Sequence, residues 1–336
     1  MKKTLITLLA AAVLAMALPA ASQAEGIKLT YANFFPPTHI QSQLAQQWCD
    51  EVAKRTDGAV KIDYFPGGTL AKAPQTYDGV VEGIADIGMS VLAYSRGRFP
   101  TMAAIDLPLG YKSGVGATKV ANAVYAKFMP GELADTQPMF FHAHGPGLLH
   151  TAKKPVKALA DIKGLKIRAT GNSGKLVNAL GGSAVAQSMS DAYQAIQKGV
   201  VDGGMYPVET NKGWKMAEVV DYQTQTFAVA YSTTFFVVMN KDKWASIPAA
   251  AQKTIMKINE EFVAKHGQAW DDSDKLGQEA FEAKGGKVIA LSDTEAAKFV
   301  AAAAPMMDGY IKSANDKGLD GKAILDFTVD TLKKAE

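Results

Sequence analysis

Arg168 is the residue of this sequence whose type and position are best suited to binding a ligand. It lies near the end of a predicted strand at 165–170, directly before Gly171 and a predicted helix. Ligands of open α/β sheets bind beyond the carboxyl ends of the strands. The planar guanidinium group matches a carboxylate through two parallel hydrogen bonds, and the N–H groups that open the next helix add positive potential. This pattern predicts a site for an organic anion; the alternative is an ion pair with an Asp or Glu of the same chain.

Two of the five histidines, His142 and His144, alternate on one face of a predicted strand and could begin a metal site. No third ligand stands at a spacing typical of metal sites. The alternative is that both histidines lie at the end of a strand, where they line a cleft or form hydrogen bonds inside the protein. We therefore predict no metal and no other cofactor.

The sequence has none of the compact motifs that identify common enzyme classes. It contains no Gly-x-Ser-x-Gly elbow, no Walker loop, no zinc-protease helix and no dinucleotide-binding glycine motif. The single cysteine, Cys49, has apolar neighbours at helical spacing, which predicts a buried side chain rather than a nucleophile. An enzyme would need an acid or a base placed by geometry that the sequence does not give, so these motifs point to no enzyme class.

Aromatic and thioether side chains gather at the predicted ends of strands and helices. Each of them, taken alone, is more typical of a protein core than of a ligand-binding wall. Their shared position predicts that several line one cleft, because small-molecule sites are mostly apolar with a few polar groups. The residues predicted to line this cleft with Arg168 are Phe34, Phe35, His39, Met89, Tyr94, His144, Met189, Tyr206, Trp214, Thr234 and Phe236.

The composition places the chain among ordinary globular proteins. Of its 336 residues, 48% are hydrophobic and 21% are charged, and this length allows two domains. A single cysteine excludes a disulfide within the chain, so a hydrophobic core must stabilise the fold.

The first 24 residues predict a cleavable signal peptide. Lys2 and Lys3 precede an apolar run at 5–18, and small residues follow up to Ala24, the predicted cleavage point. The alternative is a membrane anchor, which needs an apolar run of about 20 residues. Without this segment, 34 basic and 33 acidic side chains remain, a net charge of +1 that gives no bulk attraction to nucleic acid or to an anionic membrane. We predict a soluble protein of the periplasm of a Gram-negative bacterium.

Alternating strand and helix patterns predict an α/β fold. Residues 27–31 and 60–64 alternate as half-buried strands do, 41–55 has apolar residues at helical spacing, and 85–92 is an apolar run. This order is typical of βαβ units with a mostly parallel sheet. Further strands are predicted at 165–170, 200–205, 233–239 and 287–290.

The stretch 250–283 is nearly free of helix-breaking residues, and its apolar residues follow one another in steps of three and four. This pattern predicts one long helix or two stacked helices. An uninterrupted helix of this length spans roughly 50 Å, enough to bridge two domains. A helix at 293–307 and an amphipathic helix at 323–333 complete the predicted elements.

Several short motifs follow one another along the chain. They are YANFFPPTH at 31–39, YFPGGTL at 64–70, DIG at 86–88, DLP at 106–108, LADIKGLKIR at 159–168, GVVDG at 199–203 and Pro207. Together with the signal peptide, their order and spacing resemble the solute receptors of TRAP transporters of the DctP-like type. The resemblance covers essentially the whole chain after residue 24.

The resemblance implies the two-lobed periplasmic binding protein fold, with a ligand cleft between two α/β lobes and the long helix spanning both. Both lobes are then discontinuous. Lobe I comprises 25–145 with about 233–272, and lobe II comprises 146–232 with about 273–320. Residues 321–336 form a C-terminal helical tail.

The resemblance also implies a function without catalysis. Receptors of this family bind an organic acid anion, close around it and deliver it to the small and large membrane subunits of a sodium-driven permease. Arg168 matches the arginine that pairs with the ligand carboxylate in this family. We expect a monomer.

Two positions depart from the receptors of this family that bind sialic acid. Tyr206 stands where those receptors have an Asn before the proline, and Leu148 stands where they have a second arginine. A buried apolar site leaves sugar hydroxyls unpaired, so we predict an aromatic or otherwise apolar monocarboxylate, such as an aryl 2-oxo acid. The alternatives are the binding protein of an ABC importer or of a sensor kinase, and a periplasmic enzyme.

Overall fold

Two β-sheets form the framework of the protein. The computed structural model describes residues 26–336, so the signal peptide predicted at 1–24 lies outside the described residues. Within this range the strands are β1 (Ile27–Asn33), β2 (Val60–Phe65), β3 (Ile87–Val91), β4 (Thr136–Ala143), β5 (Gly147–Thr151), β6 (Lys166–Ala169), β7 (Ser183–Ala186), β8 (Gly203–Pro207), β9 (Tyr222–Gln225), β10 (Thr234–Asn240) and β11 (Lys287–Ala290).

Both sheets are mixed, with one strand in each that runs against the others. The first has the order β2-β1-β3-β10-β4, and the second has the order β11-β9-β5-β8-β6-β7. Strand β10 runs antiparallel to β3 and β4, and β5 runs antiparallel to β8 and β9. The chain crosses between the sheets just before β5 and just before β10, so each of these strands begins where its neighbours end. Five of the nine strand pairings are parallel, so the prediction of a mostly parallel sheet was wrong only for β5 and β10.

The two sheets and their helices form two α/β lobes around a cleft, which is the predicted fold class. All strands of the first sheet lie within 26–145 and 233–272, and all strands of the second lie within 146–232 and 273–320. We propose these ranges as lobe I and lobe II. The strand membership of the sheets supports this division.

The α-helices pack around the two sheets. In chain order they are α1 (Ile40–Arg55), α2 (Thr76–Val81), α3 (Gly114–Phe128), α4 (Gly171–Ala179), α5 (Met189–Gln197), α6 (Thr210–Gly213), α7 (Lys241–Ser246), α8 (Ala249–Ala283), α9 (Asp293–Ala303), α10 (Pro305–Asn315) and α11 (Gly321–Ala335).

The long helix α8 connects the two lobes. It has 35 residues without a break, and at 1.5 Å per residue it is about 52 Å long. Its buried side chains Ile255, Phe262 and Trp270 belong to the same core cluster as residues of the first sheet. At Gly277 the helix meets lobe II so closely that an added Cβ would lie 2.2 Å from the carbonyl oxygen of Val208. The helix therefore spans both lobes, as predicted.

The C-terminal region differs from the prediction at one point. The helix predicted at 293–307 is two helices, because Pro305 has no backbone N–H to donate to an earlier carbonyl group. Helix α11 packs on α3, and Leu332 joins the core cluster there. The carboxylate of Glu336 accepts a hydrogen bond from the backbone N–H of Ser113 at 3.0 Å. The C-terminal helix is therefore docked on lobe I.

Apolar side chains between the sheets and their helices form the core. Cys49 is 2% exposed and lies in this core, so its predicted burial is confirmed. Among the described residues, none of the helices combines the length and the apolar character needed to cross a membrane.

Candidate ligand-binding site

Arg168 lies near the end of β6 and is 4% exposed. Its Nε donates a hydrogen bond to the carbonyl oxygen of Gln187 at 3.0 Å, and Nη1 donates to that of Met205 at 3.4 Å. A guanidinium group has five N–H groups, so a fork of donors remains for a ligand. Within residues 26–336, no carboxylate forms an ion pair with Arg168. The alternative of an internal ion pair is therefore not supported, and this buried cation lacks a counter-charge.

Arg168 lines a cavity between the two lobes. The cavity volume is about 40 Å³, and one water molecule needs about 10–15 Å³, so the lobes enclose a compact space. Of the other predicted site residues, those that line this cavity are Phe34, Phe35, Tyr94, His144, Met189, Tyr206 and Trp214.

Several residues that line the cavity were not predicted. Glu209 comes two residues after the end of β8, and the rule that identified Arg168, a position beyond the carboxyl end of a strand, also applies to it. Trp270 lies on α8. Its spacing from the other apolar residues of this helix predicted a core position, so it was not included in the site. The lining residues that the prediction did not include are Val91, Thr170, Pro207, Glu209, Thr210, Tyr231, Thr233, Phe235 and Trp270.

Five aromatic rings form one side of the cavity, which we call the aromatic wall (Phe34, Phe35, Trp214, Phe235 and Trp270). Phe34 stacks on Trp214 with ring centroids 5.9 Å apart, and on Phe235 at 6.3 Å. Phe235 stacks on Trp270 at 5.1 Å and lies 5.5 Å from Phe35. Planar rings pack favourably against such surfaces, so this wall can hold the ring of an aromatic ligand.

Two predicted site residues of β10 do not line the cavity. Phe236 points to the opposite face of the sheet, where its ring lies 5.3 Å from that of Tyr77. Phe235 takes the expected place, because neighbouring side chains of a strand alternate between the two faces. The hydroxyl group of Thr234 donates to the buried carboxylate of Asp106 at 3.1 Å. Thr234 therefore supports the start of β10 and does not line the cavity.

Met89 and His39 also lie outside the lining of the cavity. Met89 is fully buried in the middle of the first sheet, with its sulfur 3.0 Å from Nε2 of His142. His39 precedes α1 and lies one layer behind the aromatic wall. Its ring stacks on that of Phe35 at 4.4 Å, and its Nε2 lies 2.9 Å from Oε2 of Glu209. Both residues were predicted to line the cavity; Met89 instead lies in the core of the first sheet, and His39 supports two residues that line the cavity.

His142 and His144 form hydrogen bonds inside the protein, as the second interpretation of this pair expected. Nδ1 of His142 accepts from Nε1 of Trp270 at 3.0 Å, and Nδ1 of His144 donates to the carbonyl oxygen of Gly145 at 2.5 Å. Burial lowers the pKa of His144 to about 4, so its ring is neutral near pH 7. Within residues 26–336, no group of three metal-ligating side chains comes together.

Two tyrosines lie close to Arg168 in the cavity lining. The hydroxyl oxygen of Tyr94 accepts from the backbone N–H of Met189 at 2.9 Å, a bond that joins the two lobes. The hydroxyl group of Tyr206 is buried and has no hydrogen-bond partner among the described residues. Burial raises the pKa of both phenols, although the charge of Arg168 opposes this effect. Both hydroxyl groups are therefore neutral.

Several polar contacts hold the lobes together around the cavity. They include the bond between Tyr94 and Met189, the bond between His39 and Glu209, and a bond from Nδ2 of Asn172 to the carbonyl oxygen of Ala103 at 2.8 Å. The structure is therefore a closed form of the two lobes.

The carboxyl group of Asp274 on α8 lies next to Glu209, which lines the cavity. This carboxyl group makes the stability of the protein depend on pH. Its Oδ1 accepts from the backbone N–H of Glu209 at 2.8 Å. Burial, with a smaller contribution from the nearby charge of Glu209, raises its pKa to about 8. The folded protein therefore binds a proton that the unfolded chain loses at lower pH, and stability falls as the pH rises between these two pKa values.

We expect Asp274→Asn to reduce this loss of stability. The amide keeps the acceptor for the Glu209 N–H but does not ionise. Urea unfolding between about pH 5 and pH 8 should give a flatter profile for the variant, the difference reaching at most about 1.4 kcal/mol per pH unit. Burial also raises the pKa of Asp106 to about 7. Asp106 contributes equally to the pH dependence of stability in the wild type and in the variant. Parallel profiles for variant and wild type would contradict the assignment.

Two α/β lobes that close over a buried arginine and an aromatic wall define a solute-binding protein of the two-lobed class. Residues 31–313 match the DctP family, bacterial extracellular solute-binding protein, family 7. The chain belongs to this family and is a receptor of the TRAP transporter type, as the resemblance implied. The family and its structural neighbours are solute-binding proteins rather than enzymes.

Three solved structures of TRAP solute-binding proteins illustrate the similarity. A marine metagenome protein specific for aromatic acids, in complex with 3-hydroxybenzoate, is 28% identical, with a TM-score of 0.88 over 93% of this chain and 100% of that one. A Bordetella bronchiseptica protein with bound mandelate is 26% identical, with a TM-score of 0.86 over 92% and 100%. A Rhodoferax ferrireducens protein with copurified benzoate is 27% identical, with a TM-score of 0.85 over 92% and 98%.

Proposed function

We propose that this protein is a periplasmic receptor for an aromatic or apolar monocarboxylate, such as an aryl 2-oxo acid. It acts as a monomer, closes around the anion, and delivers it to the small and large subunits of a sodium-driven membrane permease. The observation that carries this proposal is the buried guanidinium group of Arg168, which has free donors and no carboxylate partner among the described residues.

A ligand carboxylate would supply the counter-charge that Arg168 lacks. Hydrogen bonds between charged groups are shorter and stronger than neutral ones, and a paired fork also fixes the orientation of the anion. Since Arg168 belongs to lobe II and Phe34 and Phe35 belong to lobe I, a ligand that touches both favours the closed form.

The aromatic wall is evidence that the ligand has an aryl group next to its carboxylate. Leu148 and Tyr206 are paired across β5 and β8, and both are almost fully buried. By the resemblance to the family, Tyr206 stands at a position, and Leu148 near a position, that carries a polar side chain in receptors for sialic acid. Of the two, Tyr206 lines the cavity and Leu148 lies in the core behind it, so neither offers the several polar contacts that the hydroxyl groups of a sugar acid would need.

The hydroxyl group of Tyr206 is evidence that the ligand has a second polar atom near its carboxylate. This hydroxyl is buried beside Arg168 without a partner, and a buried donor gains free energy when a ligand atom satisfies it. The 2-oxo oxygen of an aryl 2-oxo acid has this position relative to the carboxylate. The neighbours that bind benzoate, 3-hydroxybenzoate and mandelate also support an aromatic acid.

Isothermal titration calorimetry with phenylglyoxylate, phenylacetate, succinate and galactonate tests this proposal. We expect the aryl acids to bind at least about tenfold more tightly than the other two. At 1,000-fold excess over the dissociation constant, the bound acid should raise the free energy of unfolding by about 4 kcal/mol. Tighter binding of succinate or galactonate would contradict the proposal. Consumption of the acid, measured by mass spectrometry after incubation, would favour the enzyme alternative.

A further inference from the structure

Glu209 is a second charged residue in the cavity lining. It takes no part in the proposed pairing of Arg168 with the carboxylate of the ligand. It follows β8, is 3% exposed and lines the same cavity as Arg168. Its Oε2 accepts a hydrogen bond from Nε2 of His39 at 2.9 Å. Its Oε1 accepts none from any described residue. One carboxylate oxygen of Glu209 therefore remains for a ligand.

The hydrogen bonds of His39 show how Glu209 is paired. Nδ1 of His39 accepts from the backbone N–H of Gln41 at 3.2 Å, so the ring proton lies on Nε2 and the ring is neutral. The nearby carboxyl group of Asp274 keeps its proton near neutral pH, since burial raises its pKa to about 8. Glu209 thus faces a neutral donor and a neutral acid. It has no cationic partner among the described residues.

The surroundings of Glu209 place it beside the aromatic wall. The ring of His39, its partner, stacks on Phe35 and lies 6.0 Å from the rings of Trp214 and Trp270. Arg168 instead bonds to the carbonyl groups of Gln187 and Met205, and no hydrogen bond or ion pair joins it to Glu209 among the described residues. The cavity therefore offers a cation for the carboxylate and a separate anionic acceptor near the ring.

We propose that Glu209 selects aromatic acids whose ring carries a hydrogen-bond donor, such as a phenolic hydroxyl or an arylamine. This inference rests on the proposed function, because Arg168 must hold the carboxylate for the ring to lie against the aromatic wall. A carboxylate accepts strongly from such a donor. It repels the lone pairs of a group that can only accept. A methoxy group is therefore a matched control for a hydroxyl group.

Calorimetry on the wild-type protein with one ligand series tests this selection. The series is phenylacetate, its 3-hydroxy and 4-hydroxy derivatives, the 3-amino derivative and the corresponding methoxy acids. We expect at least one hydroxy acid to bind about tenfold or more tightly than phenylacetate. The methoxy acid of the same substitution pattern should show no gain. If phenylacetate binds but no donor-bearing acid binds more tightly, the selection is wrong and the proposed function stands. If no acid of the series binds, the proposed function itself fails.

The variant Glu209→Gln tests the residue assignment. Its amide oxygen can still accept from His39, which leaves its NH₂ group, a donor, for the ligand. We expect the affinity ratio of the hydroxy acid to phenylacetate to fall to about threefold or less, and the methoxy acid to gain relative to phenylacetate. The ratio is read within one protein, so a general loss of affinity in the variant does not affect it. An unchanged hydroxy preference in Glu209→Gln would show that another group selects the donor, and would overturn the assignment.

Discussion

Replacing Arg168 with alanine should weaken the binding of the best aryl acid by about a hundredfold or more. The variant loses two hydrogen bonds between charged groups, each of which contributes about 1.5–3 kcal/mol. Calorimetry of wild type and variant with the same acid measures this difference. The variant removes a buried cation that has no carboxylate partner among the described residues, which offsets the loss of its hydrogen bonds to the carbonyl groups of Gln187 and Met205. The stability of the unliganded variant should therefore change by about 1 kcal/mol or less. This result separates a ligand-binding arginine from a structural one.

Two controls make the expectation for Arg168 specific. Arg168→Lys keeps the charge but not the planar fork, so it should recover only part of the affinity. The methyl ester of the acid has no anionic carboxylate, so wild type and Arg168→Ala should bind it about equally. An unchanged affinity of Arg168→Ala for the free acid would refute the role of this residue.

Replacing His39 with alanine should lower the free energy of unfolding by about 1.5–3 kcal/mol. The substitution leaves the buried carboxylate of Glu209 without its donor. It also removes the acceptor of the Gln41 N–H at the start of α1 and the ring that stacks on Phe35. Urea unfolding at neutral pH measures the loss. Since the His39–Glu209 bond joins the two lobes, ligand affinity should fall as well.

The matched control for His39 is Glu209→Gln. Its amide oxygen still accepts from Nε2 of His39, so this variant should lose about 1.5 kcal/mol or less. If His39→Ala and Glu209→Gln lose similar stability, removing the charge of Glu209 costs as much as removing its donor. The loss in His39→Ala could then not be assigned to the missing donor alone. A loss below about 1 kcal/mol in His39→Ala would contradict the importance of the bond between the lobes.

Much of the fold could be predicted from local patterns. The long helix α8 is amphipathic along its whole length, and β1, β2 and β6 end close to the predicted positions, because each of these signals depends only on neighbouring residues. The direction of β5 and β10 could not be predicted in this way. It depends on where the chain crosses between the sheets. The break at Pro305 was available from the sequence and was overlooked in the prediction.

The site was predicted in part, and the errors have a common cause. Strand β10 is buried on both faces, so its sequence shows no alternation to indicate whether Phe235 or Phe236 lies towards the cleft. Trp270 reaches the cavity from α8, far along the chain from the strand ends that contribute the other rings. Glu209 obeyed the rule for strand ends, but its importance appears only beside His39, 170 residues earlier in the chain.

The sequence by itself determined the family, the α/β class, the long connecting helix and the arginine at the end of β6, since each depends on residue type, order and spacing. Only the tertiary structure decided which side chains meet in the cavity, which tyrosine hydroxyl group lacks a partner, and that Arg168 has no internal counter-charge among the described residues. These properties depend on distances between segments from both lobes. Closure of the lobes sets those distances, and no local pattern records them.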